Sequence, residues 1–292
     1  MADNISIVIL AAGEGKRLKL NCPKPLAPMA GRKLIDFPLE AAFEFLRENE
    51  LNGNVTLVLG HGNDLIKDHI QSSNKNINSV IQENQSGTAD AVTCYLNKAD
   101  EILAGDQSDY TFIMCSDTPM ISASELTTLY EVIKNKDIDA VAASFKADNP
   151  YGYGRIILSS SAQGFHIVEE KDASQETKEI KEVNSGLYIF KTIFLNEEIK
   201  KISNNNSSSE FYLTDIFNDN SNVSTHCFED ESIFYGVNDL YQLQRSERLI
   251  RTKIMRSHRE NGVRFIDLSH TYVDLDVKIK AGTCIYPNVF LE

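Results

Sequence analysis

The sequence lacks tryptophan, and it lacks paired cysteines with the spacing of a metal site or a redox motif. Its five cysteines stand singly, at Cys22, Cys94, Cys115, Cys227 and Cys284. Free thiols in a reducing compartment are therefore expected. The longest apolar run, Ile7–Ala12, is far too short to span a bilayer, and no basic residue precedes it as in a secretory signal. These absences predict a cytoplasmic protein with no membrane partner.

Basic residues are also scarce. The 292 residues include 29 Lys and Arg against 42 Asp and Glu, a formal net charge of −13. This balance argues against a protein whose main task is to bind nucleic acid. Hydrophobic residues make up 42% and charged residues 24%, which is typical of a globular chain and excludes a disordered or collagen-like one. The length permits one large α/β domain or two medium ones.

Short apolar runs recur through the first half of the chain, at Ile5–Leu10, Val55–Leu59, Ser79–Gln82, Tyr110–Cys115 and Ala140–Phe145. Such runs are typical of strands that are buried on both faces of a parallel sheet. Helical patterns lie between them, over about 34–50, over 88–103, and from a capping box at Ser122 and Glu125 to about Lys134. This alternation predicts an α/β fold with a doubly wound sheet.

The end of the chain carries a different pattern. One long, highly charged helix is predicted between Gly236 and Gly262, as an arm between domains. Apolar residues then recur every six positions, at Val273, Ile279, Ile285 and Leu291. This spacing is typical of a β-helix coil, and a short β-hairpin or tail is the alternative. Three parts are expected, with boundaries 1–236, 237–262 and 263–292.

The strongest local signal is a loop of small residues directly after the first predicted strand, Leu10-Ala-Ala-Gly-Glu-Gly-Lys-Arg17. Small residues let backbone N–H groups approach an anion closely. Basic residues follow with no acidic one among them, at Lys16, Arg17, Lys19, Lys24, Arg32 and Lys33. This local inversion of charge favours a polyphosphate ligand, and a solvated basic loop is the alternative. Leu18 replaces the third glycine of a dinucleotide fingerprint, and the Walker pattern is absent.

Four polar residues are candidate ligand contacts. Asp117 follows the run Tyr110–Cys115, at the end of a predicted buried strand. Its carboxylate and the amide oxygen of Asn238 suit Mg²⁺, which takes few protein oxygens; a cap on the following turn is the alternative for Asp117. Gln82 offers both a donor and an acceptor to a ligand. Thr88 either touches the ligand or caps the following helix.

Further motifs follow the loop in order: Pro23-Lys24, Gln82-x-x-x-x-Gly87-Thr88, Asp117-Thr-Pro119, Gly152-Tyr-Gly-Arg155, Ile167–Ala173, Glu182–Gly186, Phe211–Asp215 and Gly236-Val-Asn238. Together they resemble the signature of the sugar-phosphate nucleotidyltransferases, and within them the bacterial N-acetylglucosamine-1-phosphate uridylyltransferases. Each motif alone is weak, and the resemblance depends on their order and spacing from about residue 5 to the end.

The resemblance implies a Rossmann-like nucleotidyltransferase domain, then a helical arm and the start of a left-handed β-helix. It implies a nucleotide site formed by Leu10, Ala11, Ala12, Gly13, Lys24, Gln82, Gly87, Thr88 and Ser116. It also implies a sugar site at Gly154, Glu169 and Asn184, catalytic roles for Arg17, Lys24 and Asp117, and Mg²⁺ on Asp117 and Asn238. For Glu169, an ion pair with Lys171 is the alternative. The family usually has Tyr-Gly at Cys115-Ser116 and Thr at Lys16.

The implied reaction joins UTP and N-acetylglucosamine 1-phosphate into UDP-N-acetylglucosamine and pyrophosphate, for cell-wall precursor synthesis. In the resembling family an acetyltransferase lies on later coils of a trimeric β-helix. The resemblance therefore implies a homotrimer if the β-helix is complete, and no acetyl transfer by this chain alone. The rival interpretations are a related nucleotidyltransferase for another sugar 1-phosphate and a non-catalytic subunit that binds a nucleotide sugar.

Overall fold

A computed structural model describes residues 3–13, 15–60, 64–73, 75–103, 107–159 and 164–292, without the side chain of Lys16. The strands are β1 (Asn4–Ala11), β2 (Pro28–Met29), β3 (Arg32–Lys33), β4 (Asn52–Gly60), β5 (Ile77–Gln82), β6 (Tyr110–Cys115), β7 (Ala140–Lys146), β8 (Arg155–Leu158), β9 (Phe165–Val168), β10 (Glu182–Lys191), β11 (Val223–Phe228), β12 (Arg264–Phe265), β13 (Thr271–Val273), β14 (Cys284–Ile285) and β15 (Val289–Leu291). The α-helices are α1 (Asp36–Glu48), α2 (Asp64–Ser72), α3 (Thr88–Leu96), α4 (Ala99–Ile102), α5 (Ala123–Lys136), α6 (Gln175–Lys178), α7 (Thr192–Glu198) and α8 (Leu240–Glu260). Short 3₁₀ turns lie at Lys16–Leu18, Lys24–Leu26, Ile199–Lys201, Leu213–Ile216 and Glu231–Phe234.

One mixed sheet organises most of the described chain, with the strand order β11-β7-β10-β6-β1-β4-β5. Its centre is parallel, because β1 pairs in parallel with both β4 and β6 and β4 does so with β5. Strand β10 runs antiparallel to β6 and β7, and the β8–β9 hairpin joins the sheet through β10. The predicted α/β class with a central parallel sheet is confirmed, and all five predicted apolar runs are strands.

Both faces of the sheet are covered. Successive side chains of a strand point to opposite faces, and Ile7 and Val8 of β1 are both fully buried. Ile7 packs in a hydrophobic cluster with residues of α1 and α5, whereas Val8 packs in a second cluster with residues of α3 and α7. This explains why β1 is a continuous apolar run instead of an alternating one.

The helix starts and ends follow local chemistry. The backbone N–H of Ser122 donates to the Glu125 carboxylate at 2.8 Å, which is half of the predicted capping box of α5. The single helix predicted over 88–103 is wrong, because α3 ends at Leu96 and α4 begins at Ala99. The chain leaves helical geometry at Lys98 (φ −114°), and the fully buried residues of this region lie in α3 and not in α4. No helix in the described ranges is long and apolar enough to cross a membrane.

Helix α8 connects the sheet domain to the tail. It buries one narrow stripe, Leu243, Ser246, Ile250 and Ile254, and the three apolar residues of this stripe belong to a third hydrophobic cluster. That cluster also contains Leu18 and Met29 from the loops after β1 and Val273 from the tail.

The tail strands pair in parallel. Thr271 of β13 pairs with Val289 of β15, three of the predicted six-residue steps further along the chain. Of the four residues at the six-residue spacing, Val273 and Ile285 are buried, at 1% and 8% exposed, and Ile279 and Leu291 are partly buried. The left-handed β-helix itself stays a prediction.

Candidate active site

The candidate site lies at the carboxyl ends of the central parallel strands. Strand β1 has β4 on one side and β6 on the other, so chain connections diverge from it in opposite directions. Such a switch point leaves a crevice in which α/β proteins bind ligands. There the backbone N–H of Ser116, just after β6, donates to the carbonyl of Leu10 at 3.0 Å. The loop after β1 and the Asp117 segment are thereby held side by side.

Three predicted residues, Lys24, Asp117 and Asn238, meet at this edge. The Lys24 Nζ donates to the Asp117 Oδ2 at 2.5 Å and to the Asn238 Oδ1 at 2.7 Å. The Lys24 side chain is only 11% exposed and that of Asp117 21%, so the pair is largely shielded from bulk water. A cation and an anion in such a partly buried position interact more strongly than a surface pair.

The backbone around Lys24 restricts where its ammonium can lie. Pro23 and Pro25 fix two φ angles, and Lys24 opens a 3₁₀ turn between them. Gly15, at φ +62°, packs directly on Lys24, and a Cβ at Gly15 would clash with the Cβ of Lys24. The loop after β1 therefore lies against the lysine, as expected for a loop and a cation that share an anionic ligand. With only 11% of its side chain exposed, Lys24 is not a solvent-exposed residue of a proline-rich turn.

Asp117 and Asn238 are held together by backbone hydrogen bonds. The N–H of Val237 donates to the carbonyl of Asp117 at 2.8 Å. The N–H of Asn238 donates to the Gln242 side chain at 2.7 Å, in the first turn of α8. The start of the arm helix thus places the amide beside the carboxylate, and the Asp117 side chain does not cap the following turn.

The two oxygens fit a shared divalent cation. Both lie within 2.7 Å of one cationic nitrogen, so a common cation is within reach of both. Across the described residues, no group of three or more His, Cys, Asp or Glu side chains is arranged to hold a metal. Two protein oxygens are compatible with Mg²⁺, which takes its other ligands from phosphates and water.

A second part of the site is a cavity of about 220 Å³ beside the loop after β1. It is lined by Leu10, Ala12, Gly13, Gln82, Gln85, Gly87, Thr88, Ala91 and Glu210. The Gln82 Nε2 donates to the Gly87 carbonyl at 3.1 Å and to the Asp90 carboxylate at 2.7 Å. Its Oε1 makes no hydrogen bond to the described residues and remains an acceptor. Ala11 lies outside the lining, since its side chain is buried in the core.

The Gly87–Ala89 wall of this cavity packs against the backbone of Phe211. Gly87 has φ +123°, and a Cβ there would stand 2.7 Å from the Phe211 nitrogen and closer still to its carbonyl oxygen. The Ala89 N–H donates to that carbonyl at 2.9 Å. Thr88 accepts a hydrogen bond from the Leu213 N–H at 3.0 Å and does not cap α3, whose N-cap is Gly87.

We predict different effects for alanine at the two glycines of this cavity. Gly87→Ala should lower the melting temperature by several degrees, because overpacking against rigid backbone costs about 1–3 kcal/mol. Gly13→Ala should leave the melting temperature unchanged, because no heavy atom of the described residues, its chain neighbours apart, lies within 4 Å of its added Cβ, but should raise KM for the nucleotide. Thermal melting and steady-state kinetics on both variants check this; equal melting temperatures would contradict it.

The predicted sugar-binding residues form a third part of the candidate site. They come from three separate segments of the chain. The Asn184 N–H donates to the Gly154 carbonyl at 2.9 Å. A Cβ at Gly154 would stand 2.8 Å from the Ile167 Cγ2 and 3.4 Å from the Glu169 carboxyl carbon, so the glycine lies directly beside that side chain. Thr214 donates to the Glu169 Oε1 at 3.0 Å. Lys171 instead donates to Ser208 at 2.9 Å, so the alternative pairing of Glu169 with Lys171 is not found.

Asn184 lies at an irregularity of β10. The pairing register with β7 shifts between Asn184 and Tyr188, and Gly186 in that bulge has φ +81°. The Asn184 Nδ2 donates to the Tyr188 hydroxyl at 2.6 Å, and its Oδ1 accepts from the Gly186 N–H at 3.2 Å. A Cβ on Gly186 would lie 3.5 Å from the Cys115 sulfur. The sugar residues therefore adjoin the end of β6, beside Asp117.

Burial raises the pKa of Glu169 above its usual value, and the nearby carboxylates of Asp215, Asp172 and Glu210 add to the effect. The hydrogen bond from Thr214 acts in the opposite direction and is outweighed. A carboxylate that is this poorly solvated gains from hydroxyl donors of a ligand, which restore hydrogen bonds that burial removes.

We predict that Glu169→Gln raises the melting temperature at about pH 8 but hardly changes it at about pH 4, close to the ordinary pKa of glutamate. Because the folded-state pKa of Glu169 is raised, stability from the protonated form is present in acid and lost as pH rises through that pKa. Glutamine stays neutral and avoids this loss. Melting curves across this range check the prediction, with the exposed Glu176→Gln as the matched control. A difference that does not grow with pH would contradict it.

Some of the predicted residues are not brought together with the three parts of the candidate site. Arg17 is exposed and makes no hydrogen bond or ion pair with the described residues, so its catalytic role stays a prediction. Glu14 and the Lys16 side chain lie outside the described residues. Burial raises the pKa of the Cys115 thiol to about 12, so this departure from the family pattern introduces no thiolate. Ser116, the other departure, is 5% exposed.

Sequence reasoning missed four residues of the site. Gln85 donates to the Ala12 carbonyl at 2.6 Å, and Glu210 lines the same cavity. Thr214 and Tyr188 hold Glu169 and Asn184. Thr214 lies inside the Phe211–Asp215 motif, so this motif could have indicated it from the sequence. The other three carry no local pattern that separates them from ordinary polar or core residues.

Comparison with known proteins identifies the class to which this fold and site belong. The family model "Nucleotidyl transferase" matches residues 6–231, and the chain belongs to the nucleotidyl transferase family. Its relatives include proteins named "Bifunctional protein GlmU" in Thermosipho africanus (38% identical over 287 residues), Pelobacter propionicus (36% over 290) and Acetivibrio thermocellus (36% over 289). Each alignment covers 98% of this chain but only 59%, 61% and 60% of the relative. The chain thus spans about 60% of the length of these relatives.

Proposed function

We propose that this chain is a uridylyltransferase that makes UDP-N-acetylglucosamine and pyrophosphate from UTP and N-acetylglucosamine 1-phosphate. The observation that carries the proposal is the meeting of two compartments at the end of β6. Ser116 adjoins the cavity of Gln82 and Gly87 through Leu10, and Cys115 adjoins the sugar cluster through Gly186. Asp117, bound to Lys24, is the next residue. A nucleotide and a sugar phosphate would there present their phosphates to one cation.

The nucleotide subsite is proposed at the cavity of about 220 Å³. The Gln82 Oε1, which has no hydrogen-bond partner among the described residues, would accept the N3–H of a uracil ring, because the Nε2 of the same side chain already donates to two acceptors. Leu10, Ala12, Gly13, Gly87 and Thr88 would surround the base and ribose, and Ala11 and Ser116 would contribute backbone. The sugar subsite is proposed at Gly154, Glu169 and Asn184.

The reaction is an in-line displacement. A phosphate oxygen of the sugar phosphate attacks the α-phosphorus of UTP, the bond to the β-phosphate oxygen breaks, and pyrophosphate leaves. The attacking phosphate is already ionised at neutral pH, so no general base is required, and catalysis comes from positioning and charge neutralisation. Lys24 would neutralise charge at the α-phosphate, while Arg17 and the backbone N–H groups of the 11–15 loop would hold the pyrophosphate.

Asp117 and Asn238 would hold the proposed Mg²⁺, which supplies charge neutralisation of the phosphates when bound. The two oxygens also orient Lys24 directly, through the hydrogen bonds described above. This chain's own part in catalysis is therefore a fixed arrangement of one ammonium, one carboxylate and one amide at the junction of the two subsites.

We further propose the organisation of the chain as 1–236, 237–262 and 263–292, with the third part as the first coil of a left-handed β-helix. The parallel pairing of β13 with β15 supports this. A complete β-helix would support a homotrimer, and acetyl transfer is not expected from these coils. The five free cysteines support action in the cytoplasm.

Pyrophosphate release from UTP with a panel of sugar 1-phosphates tests the proposal. We expect turnover with N-acetylglucosamine 1-phosphate in the presence of Mg²⁺ and its loss in excess chelator. Turnover with a different sugar phosphate would replace the substrate assignment. Binding of a nucleotide sugar without turnover of any pair would identify a non-catalytic subunit instead.

A further inference from the structure

Arg155 is a charged side chain in the interior, only 1% exposed. It is the first residue of β8, directly after Gly154, and it pairs with Val183 of β10. Arginine is rarely buried to this degree unless its charge is paired. The side chain takes no part in the proposed reaction, so its burial calls for a separate explanation.

The guanidinium joins three segments. Its Nη2 donates to the Glu170 Oε2 at 2.8 Å and to the Lys178 carbonyl at 3.4 Å, and its Nη1 donates to the Tyr153 carbonyl. Glu170 also accepts from the Gly152 N–H at 3.2 Å. The Arg155–Glu170 pair therefore connects the turn before β8, the turn after β9 and the end of α6 by hydrogen bonds.

These three segments carry the sugar cluster. Gly154 directly precedes Arg155, Glu169 directly precedes Glu170, and Asn184 follows α6 on β10. The Asn184 N–H donates to the Gly154 carbonyl at 2.9 Å. A shift of any one segment would therefore change the distances among all three predicted sugar contacts.

The Arg155–Glu170 ion pair adds little net stability to the interior. Desolvation of a buried pair offsets much of its attraction, and apolar residues of similar volume are often as stable or more stable. The Arg155 Nε is buried without a hydrogen-bond partner among the described residues, which adds to the cost. What the planar fork supplies, and an apolar side chain would not, is a fixed geometry between separate segments.

We propose that Arg155 and Glu170 are positioning residues of the sugar subsite, setting Gly154, Glu169 and Asn184 at the spacing that the sugar phosphate requires. The inference deepens the proposed function and rests on it. Neither side chain touches the substrate. Their effect is transmitted through the two turns and α6. The nucleotide cavity lies on the other side of β6, and no described residue that lines it is hydrogen-bonded to Arg155 or Glu170.

Separate KM values for the two substrates test this. Glu170→Ala should raise KM for N-acetylglucosamine 1-phosphate on the order of ten- to a hundredfold, as for other small misplacements in a site, and leave KM for UTP within about twofold. Glu170→Gln keeps an oxygen acceptor and should raise it less. Glu176→Ala, an exposed carboxylate of α6 with no side-chain partner among the described residues, is the matched control and should change neither value.

Arg155→Met should produce the same split, and the double variant with Glu170→Ala should show less than the sum of the two effects, because both remove one pair. If Arg155→Met does not fold, the Glu170 series decides. An unchanged KM for the sugar phosphate in Glu170→Ala, or an equal rise for both substrates, would overturn the inference. A wild-type chain that turns over no sugar phosphate would instead overturn the proposed function.

Discussion

Lys24→Ala is expected to lower kcat by about a hundredfold or more, as for other lost electrostatic stabilisers, with a smaller change in KM for UTP. The Lys24 Nζ is fixed by Asp117 at 2.5 Å and Asn238 at 2.7 Å in a largely buried position. An ammonium that is fixed in advance needs no reorganisation when negative charge develops at the α-phosphate. Lys24 is therefore expected to stabilise the transition state more than bound UTP, and its loss should lower kcat more than it raises KM.

Two further variants make the lysine experiment decisive. Lys24→Arg should restore only part of the activity, because a planar guanidinium does not replace a point charge between two prolines. Lys200→Ala removes the same charge from an exposed position far from the site and should leave kcat unchanged. If kcat of Lys24→Ala stays within about twofold of wild type, the mechanism is wrong.

Asp117→Asn is expected to reduce Mg²⁺-supported turnover by about a hundredfold or more, as for other lost electrostatic stabilisers of a transition state. The substitution preserves shape but removes the only carboxylate that is hydrogen-bonded to Lys24 in the described structure. Two neutral amides would remain beside the ammonium, and these bind a hard divalent cation more weakly than a carboxylate does.

Metal binding can be measured apart from activity. Titration of Mn²⁺ followed by electron paramagnetic resonance should show weaker binding to Asp117→Asn than to the wild-type chain in the presence of UTP. Asp100→Asn, an exposed carboxylate on α4 without a described side-chain partner, is the control and should bind as wild type does. Equal Mn²⁺ affinity in all three proteins would remove Asp117 from the proposed metal site.

Local chemistry predicted much of this site from the sequence. Short-range patterns predict the basic, glycine-containing loop after the first strand, Asp117 at the end of a buried run, and the positions of the central strands, although several strands extend one to three residues beyond the predicted runs. Such patterns are informative because a strand buried on both faces needs consecutive apolar residues, and because an anion needs small residues and positive charge close to it. The predicted unbroken helix over 88–103 is wrong, and the break separates α3, which has buried residues, from α4, which has none.

The sequence by itself determined the α/β alternation, the basic loop of small residues after β1 and the six-residue period of the tail, because each depends on residues that are near one another in the chain. Only the tertiary structure decided which distant residues meet. Lys24 and Asn238 are 214 positions apart and still share a hydrogen bond of 2.7 Å, which the packing of α8 against the loops after β1 makes possible. Likewise, Tyr-Gly-Arg155 in the sequence does not reveal that the arginine is buried. Its 1% exposure follows from the position of β8 beside β10 and from a partner on a separate turn, and no local propensity encodes such contacts.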